Sequence, residues 1–275
     1  KDQPLKERMA WGGMRMDPAD ISDVTGSTYS YLVNGYGPQD NWTALFKPGE
    51  RVRLRVINAS AMTIFNVRIP GLTLTVVQAD GLNVRPVEVD ELQIAVAETY
   101  DVIVTPTEDR AYTLVGEAVD RSGMARATLT PREGMIAPVP PLRKRPLATM
   151  TDMGMGSMGG GHDMSGMQGM DHAAMGHDMA GMDMADMNKS TPEMDHGSMT
   201  MRDGSNAPQV RMGPGVQTIS PMPVDRTGEP GQGLDDVGHR VLVYRDLMAL
   251  ERNPDVRAPD RTMDIHLTAN MERYM

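Results

Sequence analysis

A chain of 275 residues with 28 glycines, 20 prolines and only 2 Phe and 2 Trp has room for one substantial domain beside long stretches of loop. Its formal charge of −10 argues against nucleic acid as a partner, because phosphate binding needs a clustered basic surface. Cysteine is absent, which excludes disulfides, thiolate metal sites and cysteine nucleophiles.

The start, "KDQPLKERMA", carries no initiator methionine and no apolar h-region, so no signal peptide is visible. Residues 1–27 read as an interdomain connector. No apolar run reaches the length of a membrane-spanning helix, so no membrane span is expected.

Residues 28–134 read as a domain of short strands. "RVRLRVIN" (51–58) alternates strictly, with Val52, Leu54 and Val56 on one face and Arg51, Arg53 and Arg55 on the other, the period of a half-buried strand. Further strands are expected at 63–69, 72–79, 91–97, 100–105, 111–117 and 125–130. Turn signals separate them, among them Asp80-Gly81, which supplies the positive φ of a tight turn. Short strands at regular spacing, without helical patterns between them, predict an all-β antiparallel sandwich. Asp101 falls inside a strand, where it is expected to pair with one of the outward arginines. Asp80, Glu88, Asp90 and Glu91 are neighbours in sequence, and a turn followed by the start of a strand accounts for them without catalysis.

Residues 135–149 form a proline-rich linker with a small basic cluster, "PVPPLRKRP" (138–146). Residues 150–201 are dense in Met, Gly, Asp and His, with no Leu, Ile, Val or Phe to build a core and with glycines that undermine a helix. Exposed, oxidisable thioethers are poor linker material. Thioether sulfur is uncharged and polarisable, and it prefers Cu(I) or Ag(I) to hard cations; imidazole adds a ligand for either copper state. The candidate metal ligands are therefore Met150, Met153, Met155, Met158, His162, Met164, Met167, Met170, His172, Met175, His177, Met179, Met182, Met184, Met187, Met194, His196, Met199 and Met201. A linker follows (202–235), and strand-like pieces return in 236–275 at 239–247 and 262–275.

No Gly-x-Ser-x-Gly elbow, P-loop or dinucleotide fingerprint follows a strand. A blue-copper centre needs a cysteine thiolate with two histidines. An oxygen-reducing cluster needs histidines on rigid strands, whereas four of the 6 histidines here lie in the tract and no His-x-His occurs. His239 and His266 read as structural or exposed rather than as ligands.

The stretch from "TYSYLVNGYGPQDNW" through "RVRLRVINAS", "VVQADG" and "AETYDVIV" resembles the middle, cupredoxin-like domain of multicopper oxidases. "ERMAWGGMRMDPADISDVTG", "DRSGMARATLTPREG", "GMDHAAMGHDM" and "HLTANMERYM" resemble the bacterial copper-resistance branch more narrowly, the last as the start of a third domain. The resemblance implies a cupredoxin-like Greek-key sandwich within a periplasmic, three-domain oxidase that uses four coppers and oxidises Cu(I) to Cu(II). It also implies that this chain is partial, with 236–275 opening a truncated third domain. The partners implied are copper ions and the first and third cupredoxin domains of the same parent chain. The four catalytic coppers have no ligands here, so no catalytic residue carries over and the chain is expected to be inactive alone. The alternative is a stand-alone copper-buffering protein.

Overall fold

The computed structural model describes residues 24–154 and 224–261 continuously, together with 3, 5–14, 16–22, 204–213, 216, 219 and 263. They fall into two units: 1–16 with 149–224 and 263–275, and 17–148 with 225–262.

Among its described residues the first unit contains one α-helix, α1 (Leu5–Met14), and a 3₁₀ turn at Gly204–Asn206. Trp11 on α1 is buried, as are Met150 and Val216. The Met150 backbone N–H donates to Glu7 Oε1 at 3.3 Å. Thr149 and Asp152 close a turn in which the Thr149 N–H and hydroxyl both donate to Asp152 Oδ2. The connector expected over 1–27 thus includes a turn-rich helical segment that its periodicity does not announce.

The second unit is a two-sheet β-sandwich. Its strands are β1 (Thr43–Leu45), β2 (Val52–Ile57), β3 (Phe65–Arg68), β4 (Leu74–Ala79), β5 (Leu82–Val89), β6 (Glu91–Ile94), β7 (Thr99–Val104), β8 (Tyr112–Ala118) and β9 (Met124–Thr130). One sheet has the order β1-β9-β8-β3-β6, the other β2-β7-β4-β5. The all-β sandwich expected from the alternation is present, and all seven expected strands are found. Two more strands, β1 and β5, are added. Pairing is antiparallel except between β1 and β9, which run parallel.

Asp80 and Gly81 both have positive φ, 47° and 81°, and close the tight β4–β5 hairpin as the sequence predicts. The core lies between the sheets and gathers Phe46, Val67, Leu74, Val76, Leu92, Val102, Tyr112 and Leu129. Leu242, from the far side of the tract, joins the same cluster, with Leu247 packed against it. Residues 239–250, read from the sequence as opening a third domain, make their pairing within this unit. They form isolated bridges rather than the expected strand, Glu91 with Val241 and Val84 with Ala249, joined by a 3₁₀ turn at Tyr244–Asp246.

Candidate functional site

Of the nineteen candidate metal ligands, Met150 and Met153 are among the described residues. Met150 is only 2% exposed, so its thioether is enclosed by protein, and Met153 is half-buried. The others, Met155 to Met201, and His266 lie outside the described residues.

His239 is part of a different assembly, on the outer face of the five-stranded sheet. Alternation puts Val67 and Leu92 toward the core, so Arg68 on β3 and Glu91 on β6, directly paired in register, turn the other way. Glu117 on β8 shares that face, opposite Asn66. Both carboxylates have no exposed surface. Buried charge is costly without partners, and here each carboxylate has several.

Arg143, from the proline-rich linker, supplies most of them. Its Nη2 and Nη1 donate to Glu91 Oε1 and Oε2 at 2.5 and 2.9 Å. Its Nε donates to Glu117 Oε2 at 2.6 Å and its backbone N–H to Glu117 Oε1 at 2.9 Å. Arg68 Nη1 lies between the two glutamates, at 3.4 and 3.3 Å. Arg121 Nη1 is 3.0 Å from Glu117 Oε2. A turn aims Arg121 at this face: its φ is +62°, and Ser122 ties the turn to Asp120 Oδ1. His239 Nε2 completes the group, 2.7 Å from Glu91 Oε2.

Burial alone would raise the Glu117 carboxyl, but the Arg143 backbone and side-chain hydrogen bonds, with the Arg121 and Arg143 charges, hold it below its ordinary value. For Arg143, burial acts downward, and the bonds and charge of Glu91 followed by those of Glu117 outweigh it and raise the guanidinium. Arg121 goes the other way. Burial lowers it, and Glu117 offsets only part of the effect.

Elsewhere, Asp101 meets the arginine expected for it: Arg53 Nη2 stands 2.6 Å away, with Arg55 Nε at 3.5 Å. An open cleft of about 350 Å³ is lined by Tyr29, Tyr31, Pro38, Met124, Arg126 and Val139. The Arg126 guanidinium is committed there to the Pro38 carbonyl, with Nε at 2.8 Å.

Among the described residues no three His, Asp or Glu side chains group so as to hold a metal ion. The chain has no cysteine, and the one described histidine is engaged with a carboxylate that Arg143 also holds. The described residues do not fit a blue-copper or oxygen-reducing centre. The thioether and imidazole donors of the tract suit Cu(I) by chemistry. Sequence reading missed the Glu91–Glu117–Arg143 group. The signal available was three carboxylates clustered at 88–91 and an arginine inside a proline-rich run.

The multicopper oxidase family model matches residues 7–133. Copper resistance protein A of Escherichia coli is 49% identical over 286 residues, covering 98% of this chain and 47% of that protein. A copper resistance protein A homologue of Pseudomonas syringae pv. tomato is 50% identical over 276 residues, covering 98% and 45%. The chain therefore spans about half the length of the curated relatives it matches. Among solved structures, that of Fet3p, a multicopper oxidase that functions in iron import, is 22% identical over 38% of this chain and 22% of that one, with a TM-score of 0.35. Among the described residues no helix is long and apolar enough to cross a membrane.

Proposed function

The chain belongs to the multicopper oxidase family, in its copper-resistance branch, and we propose that it gives a periplasmic Cu(I) oxidase its scaffold domain and a copper-gathering tract. Copper cofactors follow from the family. In this reading their catalytic ligands belong to the first and third cupredoxin domains of the parent protein, where Cu(I) is oxidised to Cu(II) as oxygen is reduced. The sandwich binds none of those coppers. Residues 155–201 gather Cu(I) through methionine sulfur, with His162, His172, His177 and His196 as further donors, and raise its supply to the oxidising centre. Aspartates spaced along the tract keep it hydrated and draw cations toward it. Met150 belongs to packing rather than to the ligand set, because it is enclosed.

One observation carries the reading: a run of thioether and imidazole donors, free of thiolate and of core-forming residues, adjoins a multicopper oxidase domain. Anaerobic titration with Cu(I) against a chromophoric chelator tests it. The full chain is expected to withdraw copper from the chelator, and a variant lacking 155–201 to lose most of that capacity. Equal uptake by both would remove the tract from the account. The purified chain with added copper is expected to oxidise neither Cu(I) nor a phenol, and turnover by it would overturn the division of labour.

A further inference from the structure

The chain that precedes the tract and the chain that follows it are bonded to one side chain. Arg143 donates twice to Glu91, and His239, about a hundred residues later, stands 2.7 Å from Glu91 Oε2. Around this point residues 225–250 are built into the sandwich. Leu242 N–H donates to the Glu91 carbonyl at 2.9 Å and Asp90 N–H to the Arg240 carbonyl at 2.8 Å, so the edge of β6 is covered. Arg85 N–H donates to the Met248 carbonyl and Leu250 N–H to the Asn83 carbonyl, so the edge of β5 is covered by the same segment. Leu242 lies in the core.

The preceding and following segments also meet. Gly233, with φ of +74°, packs so closely on Pro146 that a Cβ there would stand 2.8 Å from the proline Cβ. Its carbonyl accepts from Arg121 Nη2 at 2.8 Å.

We propose that residues 225–250 are a clasp that completes the sandwich and that Glu91 is the residue positioning it, so that the chain between 155 and 203 can be severed while the domain stays whole. The apolar anchor and the four edge hydrogen bonds supply affinity. The Glu91–His239 and Gly233–Pro146 contacts set where the clasp seats. The inference holds whether or not the tract binds copper. Its consequence is a domain that tolerates proteolytic loss of continuity in its methionine tract.

The test uses the full chain with a specific protease site inserted beside Gly160. After cutting, the two fragments are expected to co-elute in size-exclusion chromatography at the volume of the uncut protein. Fragments that separate at micromolar concentration would overturn the clasp. Dilution of the cut complex then gives its dissociation constant. His239→Leu and Gly233→Val are each expected to weaken it by about tenfold or more, as for loss of a charged hydrogen bond or a close-packed contact. His239→Gln, which keeps a donor for Glu91, is expected to restore most of the loss. An unchanged constant in His239→Leu would overturn the positioning role of Glu91, and an unchanged constant in Gly233→Val would remove the Pro146 contact from what seats the clasp.

Discussion

Both faces of the five-stranded sheet bury side chains deeply, and they are held by different forces. On the inner face Val67, Leu92, Tyr112 and Leu129 meet the other sheet across an apolar core. On the outer face the alternate residues of the same strands, Arg68, Glu91 and Glu117, are buried under the proline-rich linker and the 225–250 segment. The inner face gains by removing hydrocarbon from water, which has no direction and little dependence on pH. The outer face gains only if each charge finds its partners, because desolvation of an unmatched one costs several kcal/mol. A strand pattern therefore tells which residues leave the core, and says nothing of whether they reach solvent.

The contrast can be broken from the outer side first. Glu91→Ala would leave Arg143, Arg68 and His239 around a missing carboxylate, and is expected to cost about 3–5 kcal/mol in denaturant unfolding. Double replacement of Glu91 and Arg143 by residues of similar volume should cost less than the two single changes together, since neither member of that pair is left facing the other's empty place. Leu92→Ala, one residue away on the inner face, is expected to cost about 3 kcal/mol through lost transfer energy and a cavity. Its effect should not vary between neutral and mildly acid pH.

Acid separates the two faces more finely. Glu117 has its carboxyl held below the ordinary value in the folded protein, so its contribution is present above the unfolded pKa of about 4.3 and is lost as pH falls through the lower, folded value. Hydrogen exchange on stepwise acidification should show the amides of 143–148 losing protection before those of β4 and β7. Simultaneous loss in both regions would mean that the outer layer is no weaker than the core in acid. The smallest effect belongs to the surface. Arg53→Ala removes a pair whose arginine is half-exposed, and its unfolding free energy should fall by less than about 1 kcal/mol, diminishing with added salt.

The inner face was legible in the sequence because its rule is local. Val52, Leu54 and Val56 announce β2, and the alternation in 100–105 announces β7 together with the outward arginines that meet Asp101. β5 escaped because Pro86 and the polar residues Asn83, Arg85 and Glu88 mask its period, although it pairs with β4 on either side of a bulge between Val76 and Gln78. The parallel β1–β9 pair escaped because three residues carry no periodicity. The outer layer is illegible for a different reason. Arg143 reads as one of three basic residues in a linker, and only contacts with residues 26 and 52 positions earlier show it to be the partner of two buried glutamates. Of the tract, the sequence offers donor chemistry and no geometry, and its ligands beyond Met153 lie outside the described residues.

The order in which the covering pieces arrive has a cost in time. A ribosome finishes β5 and β6 by residue 94, but the segment that covers their edges is complete only at residue 250. Between Arg143 and His239 lie about a hundred residues, and at roughly 5–20 residues per second their synthesis takes about 5–20 s. Through that interval two strands with unpaired N–H and C=O groups face outward, and Glu91 lacks its histidine. The nascent chain is then open to edge-to-edge association with its neighbours, and the hazard passes when the last of the clasp is made.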